Sequence, residues 1–471
     1  MTLIFESLLG LTLHSLFAML GLAVYVVASR ALHQRRHPSA AVAWVVSLVL
    51  LPYAALPLYL MFGRRKLVSR RAIGRMHQAG PTAPRPDALA GTRQIAAAMA
   101  LPPARPYHAL VIHDDGSTAL RVLRKMICAA TRSLDLCTFV FARDALGDEI
   151  AALLEQRVAD GLRVRLLVDG VGAYLRGHPD FKRLSAAGIQ VALFVPPLRS
   201  SLRGRTNLRN HRKMVIADSE WLWCGGRNLA SEYFEGDPGS AHAGAPWTDL
   251  SIDLHGALAL QAQQQFDQDW RFATLQDARE ESTDSIDPDW PDGGTMGQLI
   301  ASGPDQVEDT LYTLLVSEFF TSRKRILAVT PYFVPDATLL MSLTLAARRG
   351  VAVDLLMPRK SNHRLADLAR HRALRELALA GGRIWLSPRM IHAKAIVIDD
   401  QLALVGSANL DERSLFLNYE LMIAFYATSE VERFAHWIDL QRNSAARHNP
   451  RPPGFWREIG EGLLLWLAFQ L

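Results

Sequence analysis

The sequence contains one short pattern twice, and this repeat constrains the fold more than any other feature. The pattern is a histidine, a lysine two residues later, an aspartate and an asparagine, at His211, Lys213, Asp218 and Asn228 and again at His392, Lys394, Asp399 and Asn409. The offset is constant, because 392 − 211, 394 − 213, 399 − 218 and 409 − 228 all equal 181. Four residue types held at one offset indicate a duplicated unit.

Apolar strands alternate with helical segments in the same order around both copies. The predicted strands are Ser133–Phe141, Leu162–Gly170 and Ile189–Val195 in the first unit, and Arg325–Phe333, Val351–Pro358 and Arg383–Ser387 in the second. Helical spacing fills Ala145–Gly161 and Thr338–Arg349 between them. This alternation predicts an α/β fold with helices on both faces of the sheet.

Each histidine–lysine pair precedes an apolar run, Met214–Ile216 in one copy and Ala395–Ile398 in the other. We therefore expect each pair on a strand, where a period of two puts the histidine and the lysine on one face. A structural explanation is an edge strand that turns both side chains to solvent. Two copies with matching asparagines favour a functional site instead.

A duplicated set of histidine, lysine and asparagine suits chemistry at a phosphate. Two lysines and two asparagines can stabilise the charge on the equatorial oxygens of a phosphodiester. One imidazole can attack phosphorus to give a phosphohistidine, while the other protonates the leaving alkoxide. The sequence has no HExxH motif, carboxylate cluster or P-loop. We therefore predict phosphoryl chemistry with neither a metal nor a cofactor.

The N-terminal region contains two segments without Lys, Arg, Asp or Glu, Ser7–Ser29 and Pro38–Gly63. Each exceeds the roughly 20 apolar residues that cross a bilayer. They predict transmembrane helices at about 8–28 and 40–62. A cleaved signal peptide is an alternative for the first segment. In the second segment, Pro52 and Pro57 could kink the helix, or make the pair a shallow re-entrant hairpin.

Charge and composition favour a membrane partner and an inward orientation. A net charge of +6 suits an anionic partner, either a membrane or nucleic acid, and 49% hydrophobic residues with two apolar segments favour the membrane, so no nucleic acid is expected. Six basic residues follow the second segment between Arg64 and Arg75, against three in the loop before it. The positive-inside rule then puts the large domains on the cytoplasmic side. Three scattered cysteines suit that reducing compartment.

Composition divides the chain into six parts. They are the apolar pair with its basic flank (1–77), a linker rich in Pro, Ala and Gly (78–106), a first domain (107–274), an acidic connection (275–300), a second domain (301–450) and a membrane-associated C-terminal segment (451–471). The last segment is too short to span a bilayer, and we expect it to lie on the membrane surface or to pack against the apolar pair.

The paired motif resembles the HxKxxxxD signature of the phospholipase D superfamily, and the whole chain resembles its membrane-anchored bacterial cardiolipin synthases. The stretches that carry the narrower resemblance are Pro331–Pro335, Ala346–Gly350, Gly406–Leu415 and Asn418–Glu420. The resemblance implies two pseudo-twofold-related α/β sandwich domains behind a pair of transmembrane helices. It also implies one active site at the interface between the domains.

The resemblance further implies an activity and a site. The activity is transfer of a phosphatidyl group from one phosphatidylglycerol to another at the bacterial inner membrane, giving cardiolipin and glycerol. The implied residues are His211 and His392 with Lys213 and Lys394 for catalysis, His211 being the nucleophile; Asn228, Asn409 and Ser407 with the lysines for phosphate; and Asp218 and Asp399 as signature residues with a structural role. Asp249 and Glu420 are expected to orient the imidazoles.

Several alternatives stay open from the sequence. A hydrolase that releases phosphatidic acid would use the same residues, and another donor or acceptor could replace phosphatidylglycerol. A nuclease of the superfamily or a membrane scaffold fits the two segments and two intact motifs less well. Five arginines precede the first motif as a solvated face or as a rim for anionic lipid: Arg199, Arg203, Arg205, Arg209 and Arg212. The oligomeric state is not indicated.

Overall fold

A computed structural model describes most of the chain, namely residues 2–31, 38–63, 90–196, 207–236, 244–275, 294–306, 308–454 and 461. Three helices come first: α1 (Thr2–Ala31), α2 (Pro38–Leu50) and α3 (Pro52–Phe62). Aromatic contacts hold them together, since the ring of Tyr59 lies 5.5 Å from Tyr25 and 5.2 Å from Trp44.

The second apolar segment is not the single helix that we predicted over 40–62. It divides at Leu51, because Pro52 has no N–H to continue the hydrogen bonding of α2 and instead begins α3. The first segment, 8–28, lies within α1. Among the described residues, none of the helices has the combined length and apolar character that a membrane crossing requires.

The first half of the body follows helix α4 (Ala90–Ala98). Its elements are β1 (Arg105–His113), α5 (Gly116–Ala129), β2 (Ser133–Thr138), α6 (Ala145–Ala159), β3 (Arg163–Asp169), α7 (Gly172–Leu175), α8 (Phe181–Ala186), β4 (Gln190–Phe194), β5 (Arg209–Asn210), β6 (Met214–Ala217), β7 (Trp221–Gly225), a 3₁₀ turn (Ser231–Tyr233), β8 (Ser251–His255) and α9 (Ala257–Thr274).

The second half repeats this order. Its elements are β9 (Thr295–Ser302), α10 (Thr310–Thr321), β10 (Arg325–Val329), β11 (Phe333–Val334), α11 (Ala337–Arg348), β12 (Ala352–Pro358), α12 (Arg364–Leu379), β13 (Arg383–Ser387), β14 (Ala395–Ile398), β15 (Leu402–Gly406), β16 (Leu410–Asp411), α13 (Glu412–Phe416), β17 (Asn418–Phe425), α14 (Thr428–Asn443) and β18 (Ala446–His448). The six predicted strands and both predicted helices are present, which confirms the α/β class.

Within the described residues, sixteen strands form one continuous sheet. Its order is β18-β13-β12-β10-β14-β15-β17-β9-β1-β8-β7-β6-β2-β3-β4, with β5 paired to β17. The order reads the same from each end once β18 is set aside, so β3 corresponds to β12, β6 to β14 and β8 to β17. The two halves meet where β1 runs antiparallel to β9. The repeat in the sequence is therefore also a repeat in the sheet.

Helices cover both faces of this sheet, as expected. Leu258 and Phe266 of α9 and Phe434 of α14 lie on one face, in a hydrophobic core that contains strands of both halves. On the other face, α5 and α6 cover the first half, and α10, α11 and α12 cover the second. Because one core is shared, the halves are packed as a unit.

The histidine–lysine pairs do not lie on strands, contrary to our prediction. Strand β6 begins at Met214 and β14 at Ala395, so both pairs come just before. The reason is that their backbones bond to the opposite half of the molecule: the N–H of His211 donates to the Tyr419 carbonyl at 2.9 Å, and that of His392 donates to the Thr248 carbonyl at 2.7 Å.

Regular structure begins before two of the predicted limits. Strand β1 begins at Arg105, within the predicted linker, which also holds the short helix α4. Strand β9 begins at Thr295, within the predicted connection. Most of the predicted C-terminal membrane segment lies outside the described residues, which include only 451–454 and Glu461 of it. Glu461 forms an ion pair with Arg375 of α12.

Candidate active site

The imidazole of His211 bonds to a carboxylate from the other half. Its Nδ1 lies 3.0 and 3.1 Å from the two carboxylate oxygens of Glu420, on β17. The carboxylate is fully buried, whereas the histidine side chain keeps 13% of its surface exposed. Since Glu420 accepts from the Nδ1–H, the Nε2 lone pair is left available for chemistry.

His392 shows the reciprocal arrangement. Its Nδ1 lies 2.8 Å from Oδ2 of Asp249, which is two residues before the start of β8 in the first half. Both side chains are buried, with 4% exposure for the histidine and none for the carboxylate. Each histidine is thus oriented by the half that does not contain it, and the predicted orienting role of both carboxylates has a definite geometry.

Glu420 is held by several donors besides His211. The hydroxyl of Ser407 donates to it at 2.6 Å and that of Ser414 at 2.8 Å, and the amide of Asn418 donates at 3.3 Å. Ser407 was expected to bind phosphate, but its hydroxyl is committed to this carboxylate. Its role in the observed arrangement is to fix Glu420 in place.

The first half has Gly226 where the second has Ser407, and Asp249 explains the difference. A Cβ atom on Gly226 would lie 2.2 Å from Oδ1 of Asp249, well inside contact distance. The Asp249 carboxylate therefore occupies the space that a side chain at position 226 would need. The absence of a side chain at this position allows His392 to have its partner.

The two lysines lie against their own histidines. Nζ of Lys213 donates to the His211 carbonyl at 2.7 Å. Nζ of Lys394 donates to the His392 carbonyl and lies 2.8 Å from Nδ1 and 3.0 Å from Nε2 of the same ring. Both lysines are buried, and their contact with phosphate stays a prediction.

Burial and neighbouring charges set the protonation of the site. Burial lowers the pKa of His211 to about 4, with Glu420 opposing and both lysines adding to the effect. It lowers the pKa of His392 to about 3, with Lys394 adding and Asp249 opposing. Because each histidine hydrogen-bonds to a carboxylate of the other half, both copies of the motif converge on one site.

The pKa values of the lysines and carboxylates of the site are shifted by the same burial and charges. Burial lowers the pKa of Lys213 to about 7 and that of Lys394 to about 8, with Glu420 and Asp249 opposing. Burial alone would raise the pKa of Glu420 and Asp249, but the adjacent imidazoles and lysines outweigh it and keep both below the ordinary value. At neutral pH the site therefore contains two neutral imidazoles and two ionised carboxylates.

The two motif asparagines are engaged with the protein. Asn228 accepts from the Val140 N–H at 3.2 Å and donates to the Tyr233 hydroxyl at 2.8 Å. Asn409 hydrogen-bonds to Asp411, and its Oδ1 has no partner among the residues that the structure describes. Their predicted contact with phosphate stays a prediction, since these donors support neighbouring side chains here.

The signature aspartates lie apart from the imidazoles, at turns with positive φ. Asp218 accepts from the N–H groups of Thr131, Arg132 and Ser133 at 2.7–2.8 Å. Asp399 accepts from the three equivalent N–H groups before β10, at 2.7–3.2 Å. Both carboxylates thus bind the backbone at the start of a central strand, which is a structural contact.

Aromatic side chains that line the site were not predicted from the sequence. The ring of Phe139 lies 5.2 Å from His211, and the rings of Tyr233 and Trp247 lie 5.1 and 5.7 Å from His392. The last two lie within the Gly/Ala-rich stretch Ser231–Trp247, whose sequence has no periodicity that could have indicated them. Apolar rings beside both imidazoles reduce the access of water to the reacting atoms.

For two arginines of the run before the first motif, the prediction was wrong. Arg209 and Arg212 are buried, not part of a solvated face or lipid rim, and each pairs with an aspartate: Arg209 with Asp169 and Arg212 with Asp269. Arg212 also donates to the Glu420 carbonyl at 3.0 Å. The other three, Arg199, Arg203 and Arg205, lie outside the described residues.

A second buried arginine supports the other carboxylate. Arg227 donates to the Asp249 carbonyl at 2.8 Å and to the Tyr233 carbonyl at 3.1 Å. Both Arg212 and Arg227 are in the first half, and alanines, Ala393 and Ala408, hold the equivalent positions in the second. Each arginine thus fixes the backbone of one orienting carboxylate. The signal in the sequence that could have indicated these roles is that each arginine is replaced by alanine in the other copy.

Two known protein families match the sequence of this chain. The family described as "Cardiolipin synthase, PLD-like domain" matches residues 123–270 and 315–440, one match in each half. The family described as "Phospholipase_D-nuclease N-terminal" matches residues 19–64, across the three apolar helices. The two matched body regions contain all the motif residues and both orienting carboxylates.

Individual proteins give the same result over most of the chain. Cardiolipin synthase A of Pseudomonas aeruginosa is 32% identical over 417 residues, which cover 85% of this chain and 83% of that protein. Cardiolipin synthase A of Pseudomonas putida is 31% identical over 416 residues, or 84% and 85%. The crystal structure of phosphatidylserine synthase from Haemophilus influenzae shares the fold, with a TM-score of 0.60 at 15% identity, over 81% of this chain and all of that one. The chain belongs to the cardiolipin synthase family of phospholipase D-like proteins.

Proposed function

We propose that the chain is a cardiolipin synthase that transfers a phosphatidyl group between two phosphatidylglycerol molecules through a phosphohistidine on His211. The observation that carries the proposal is the pair of crossed carboxylate–imidazole bonds, Glu420 to His211 and Asp249 to His392, with a lysine that hydrogen-bonds to each histidine. Two oriented imidazoles and two cations provide a nucleophile, an acid–base group and charge neutralisation for a phosphodiester.

In the first step, Nε2 of His211 attacks phosphorus and the bond from phosphorus to the glycerol oxygen breaks. Lys213 and Lys394 neutralise the non-bridging oxygens. His392 gives the departing oxygen a proton. Burial and the charge of Lys394 lower the pKa of His392, which works against that role in the free enzyme. The anion of the bound phosphodiester offsets the lysine charge and raises this pKa. Glycerol leaves, and the phosphatidyl group remains on His211.

In the second step, a hydroxyl of another phosphatidylglycerol attacks the phosphatidyl-histidine. Nε2 of His392, now neutral, accepts the hydroxyl proton. The N–P bond breaks, His211 regains its lone pair, and cardiolipin forms. Water in place of the lipid hydroxyl would give phosphatidic acid, so the aromatic side chains Phe139, Tyr233 and Trp247 favour transfer over hydrolysis by limiting access of water.

The N-terminal helices are proposed to hold the enzyme at the bacterial inner membrane, with the catalytic halves on the cytoplasmic side. Large apolar side chains are exposed on all three helices, among them Leu16, Met19, Val27, Leu50 and Leu58. Exposed apolar surface on a helical hairpin suits a lipid environment. The basic residues between Arg64 and Arg75 support the inward orientation.

The test uses the purified, detergent-solubilised protein with phosphatidylglycerol alone, and measures cardiolipin, glycerol and phosphatidic acid. Cardiolipin and glycerol are expected in equal amounts. Phosphatidic acid without cardiolipin would replace the proposal by a hydrolase. Turnover only after phosphatidylethanolamine or another alcohol is added would retain the transfer chemistry and change its donor or acceptor.

Exchanging the residues at the two equivalent positions Gly226 and Ser407 should give unequal effects. Gly226→Ser forces the Asp249 carboxylate away from His392, and misplacement on this scale reduces turnover by about 10²-fold. Ser407→Gly removes one hydrogen bond to Glu420 and leaves the others, so we expect about a tenfold loss. Initial rates of cardiolipin formation check this. Equal losses would argue against the steric role of Gly226.

The value of kcat/KM should begin to fall at an unusually low pH on the alkaline side. As pH rises through about 7 to 8, Lys213 and Lys394 lose the charges that bind phosphate, so kcat/KM falls. At the acid end, kcat/KM falls near pH 4 as His211 takes up a proton. In Lys213→Arg the guanidinium stays charged, and the alkaline limit should move upward by about one pH unit even if the maximum is lower. An unchanged alkaline limit would contradict the assignment.

A further inference from the structure

Two apolar tips protrude at equivalent places in the two halves. After β3, helix α7 exposes 65% of Tyr174 and 60% of Leu175. After the equivalent strand β12, the first turns of α12 expose 47% each of Leu365 and Leu368. Large apolar side chains exposed in pairs, at the same end of equivalent strands, are not explained by packing among the residues that the structure describes.

The first tip adjoins the walls of the active site. Gly172 of α7 packs on Phe139 so closely that a Cβ there would lie 1.8 Å from the Phe139 carbonyl oxygen, and Phe139 contacts His211. Arg176, directly after α7, forms an ion pair with Glu232. Glu232 precedes Tyr233, whose ring contacts His392.

The second tip reaches the same segment from the other half. The hydroxyl of Tyr332 donates to Asn362, in the loop that leads into α12. The carbonyl of Met390, next to Arg389, accepts from the Thr248 N–H at 2.9 Å, and the N–H of Trp247, next to Thr248, donates to the Glu232 carbonyl at 2.9 Å. The first tip and the residues beside the second tip therefore both connect to the Glu232–Tyr233 segment at the edge of the site.

Exposed cations surround the second tip. Among the described residues, none of the four has an ion-pair partner: Arg359, Lys360, Arg364 and Arg389. They share one edge, because β12 and β13 run in parallel with Pro358 beside Ser387 and the N–H of Arg359 donates to the Ser387 carbonyl. The nearby carboxylate of Asp367 is already paired with Arg370. The surface is thus apolar at the tips and positively charged around the second one.

We propose that these tips and cations form a docking surface for an anionic phospholipid bilayer, with the four apolar side chains inserted among the headgroups beside the active site. Its members are Tyr174, Leu175, Leu365 and Leu368 with Arg359, Lys360, Arg364 and Arg389. The inference rests on the proposed function, since a diacyl substrate must pass from the bilayer to His211. Apolar side chains within a basic surface are the combination that binds an anionic membrane interface.

The shape and charge of this surface favour a bilayer over a protein. The apolar side chains stand in two separate groups at equivalent places in the two halves, whereas a protein interface has one contiguous apolar centre. Positive charge around the apolar tips complements the negative surface of a membrane that contains phosphatidylglycerol. A lipid held at both tips would have its headgroup close to the imidazoles.

A fluorescent label on α12 tests the docking directly. In the full chain with Cys128→Ser, which removes the exposed thiol and leaves buried Cys137 and Cys224, a single cysteine at Leu365→Cys carries the label. In proteoliposomes containing phosphatidylglycerol, the label is expected to resist aqueous iodide roughly threefold better than in the matched control, and to be quenched by nitroxide-bearing lipid. The control is Leu379→Cys, 87% exposed at the far end of the same helix.

Each outcome of the quenching decides the docking. Equal iodide quenching at both positions would overturn it, and so would protection at position 365 without quenching by nitroxide lipid, which would indicate a protein contact instead. The quenching does not require turnover. An inactive protein that shows lipid quenching would retain the docking surface and reject the proposed function, and an active protein without it would do the reverse.

A kinetic comparison gives a second, independent readout. The double variant Leu365→Ser/Leu368→Ser is expected to raise KM for phosphatidylglycerol in vesicles about tenfold. Its rate with a dispersed short-chain phosphatidylglycerol should stay close to that of the unmodified protein, because no side chain of the site changes. Leu379→Ser should affect neither. Equal losses on both forms of the substrate would overturn the proposal.

Discussion

Replacing His211 by alanine is expected to reduce cardiolipin formation by on the order of 10⁴-fold or more, because the covalent step loses its nucleophile. Replacing His392 should cost about 10² to 10⁴-fold, because the glycerol oxygen then leaves without a proton. Both losses would be seen as rates of cardiolipin synthesis from phosphatidylglycerol. Rates alone do not separate the two roles, since both variants would be nearly inactive.

A substrate with a good leaving group separates the roles. The p-nitrophenyl ester of phosphatidic acid needs no acid for its departure. His392→Ala should therefore release one p-nitrophenol per site in a burst and retain a phosphatidyl group on His211, detectable by mass spectrometry as an acid-labile adduct. His211→Ala should show neither the burst nor the adduct. A burst confined to His211→Ala would exchange the two assignments.

Substituting the orienting carboxylates should impair the histidine of the opposite half. In Glu420→Gln the amide presents a donor either to Nδ1 of His211 or to the hydroxyls of Ser407 and Ser414. The favoured tautomer then carries its proton on Nε2, which blocks attack. Comparable changes in catalytic triads cost about 10⁴-fold in kcat. We expect a loss of that order, with KM little changed.

Each orienting carboxylate contacts the histidine of the opposite half, so the two carboxylate variants should affect different steps. With the p-nitrophenyl ester, Glu420→Gln should slow the burst, whereas Asp249→Asn should leave the burst intact and slow only the transfer to phosphatidylglycerol. The matched control is Asp253→Asn, because Asp253 makes a third buried carboxylate–histidine pair, with His113. That variant should lower the melting temperature and keep kcat within a few-fold. The opposite pattern for Glu420 and Asp249 would contradict the crossed geometry.

The strand and helix order was predictable because apolar runs and helical periodicity survive in both copies. The two carboxylates were predictable as residue types, but not their exchange between halves. Glu420 and Asp249 differ by 171 positions, not by the 181 of the motif, so the offset gives no pairing rule. Only the sheet, which brings β17 beside the first motif, shows which histidine each carboxylate meets.

Other features depend on contacts that have no local pattern. The placement of His211 and His392 before their strands follows from backbone bonds to Tyr419 and Thr248, both far away in the sequence. The burial of Arg212 depends on Asp269 in a later helix, although its neighbours suggested a solvated charge run. Helix and strand propensity and hydrophobic periodicity describe local sequence only, so they do not indicate such distant partners.

The exchange of carboxylates between halves has an evolutionary consequence. Gene duplication ordinarily frees one copy to drift, yet here the basicity of His211 depends on a residue encoded 209 positions later. A mutation in either copy is felt by the imidazole of the other, so selection acts on both copies together. The repeats can diverge in their loops and surfaces, but at the imidazoles they are inherited as one catalytic unit.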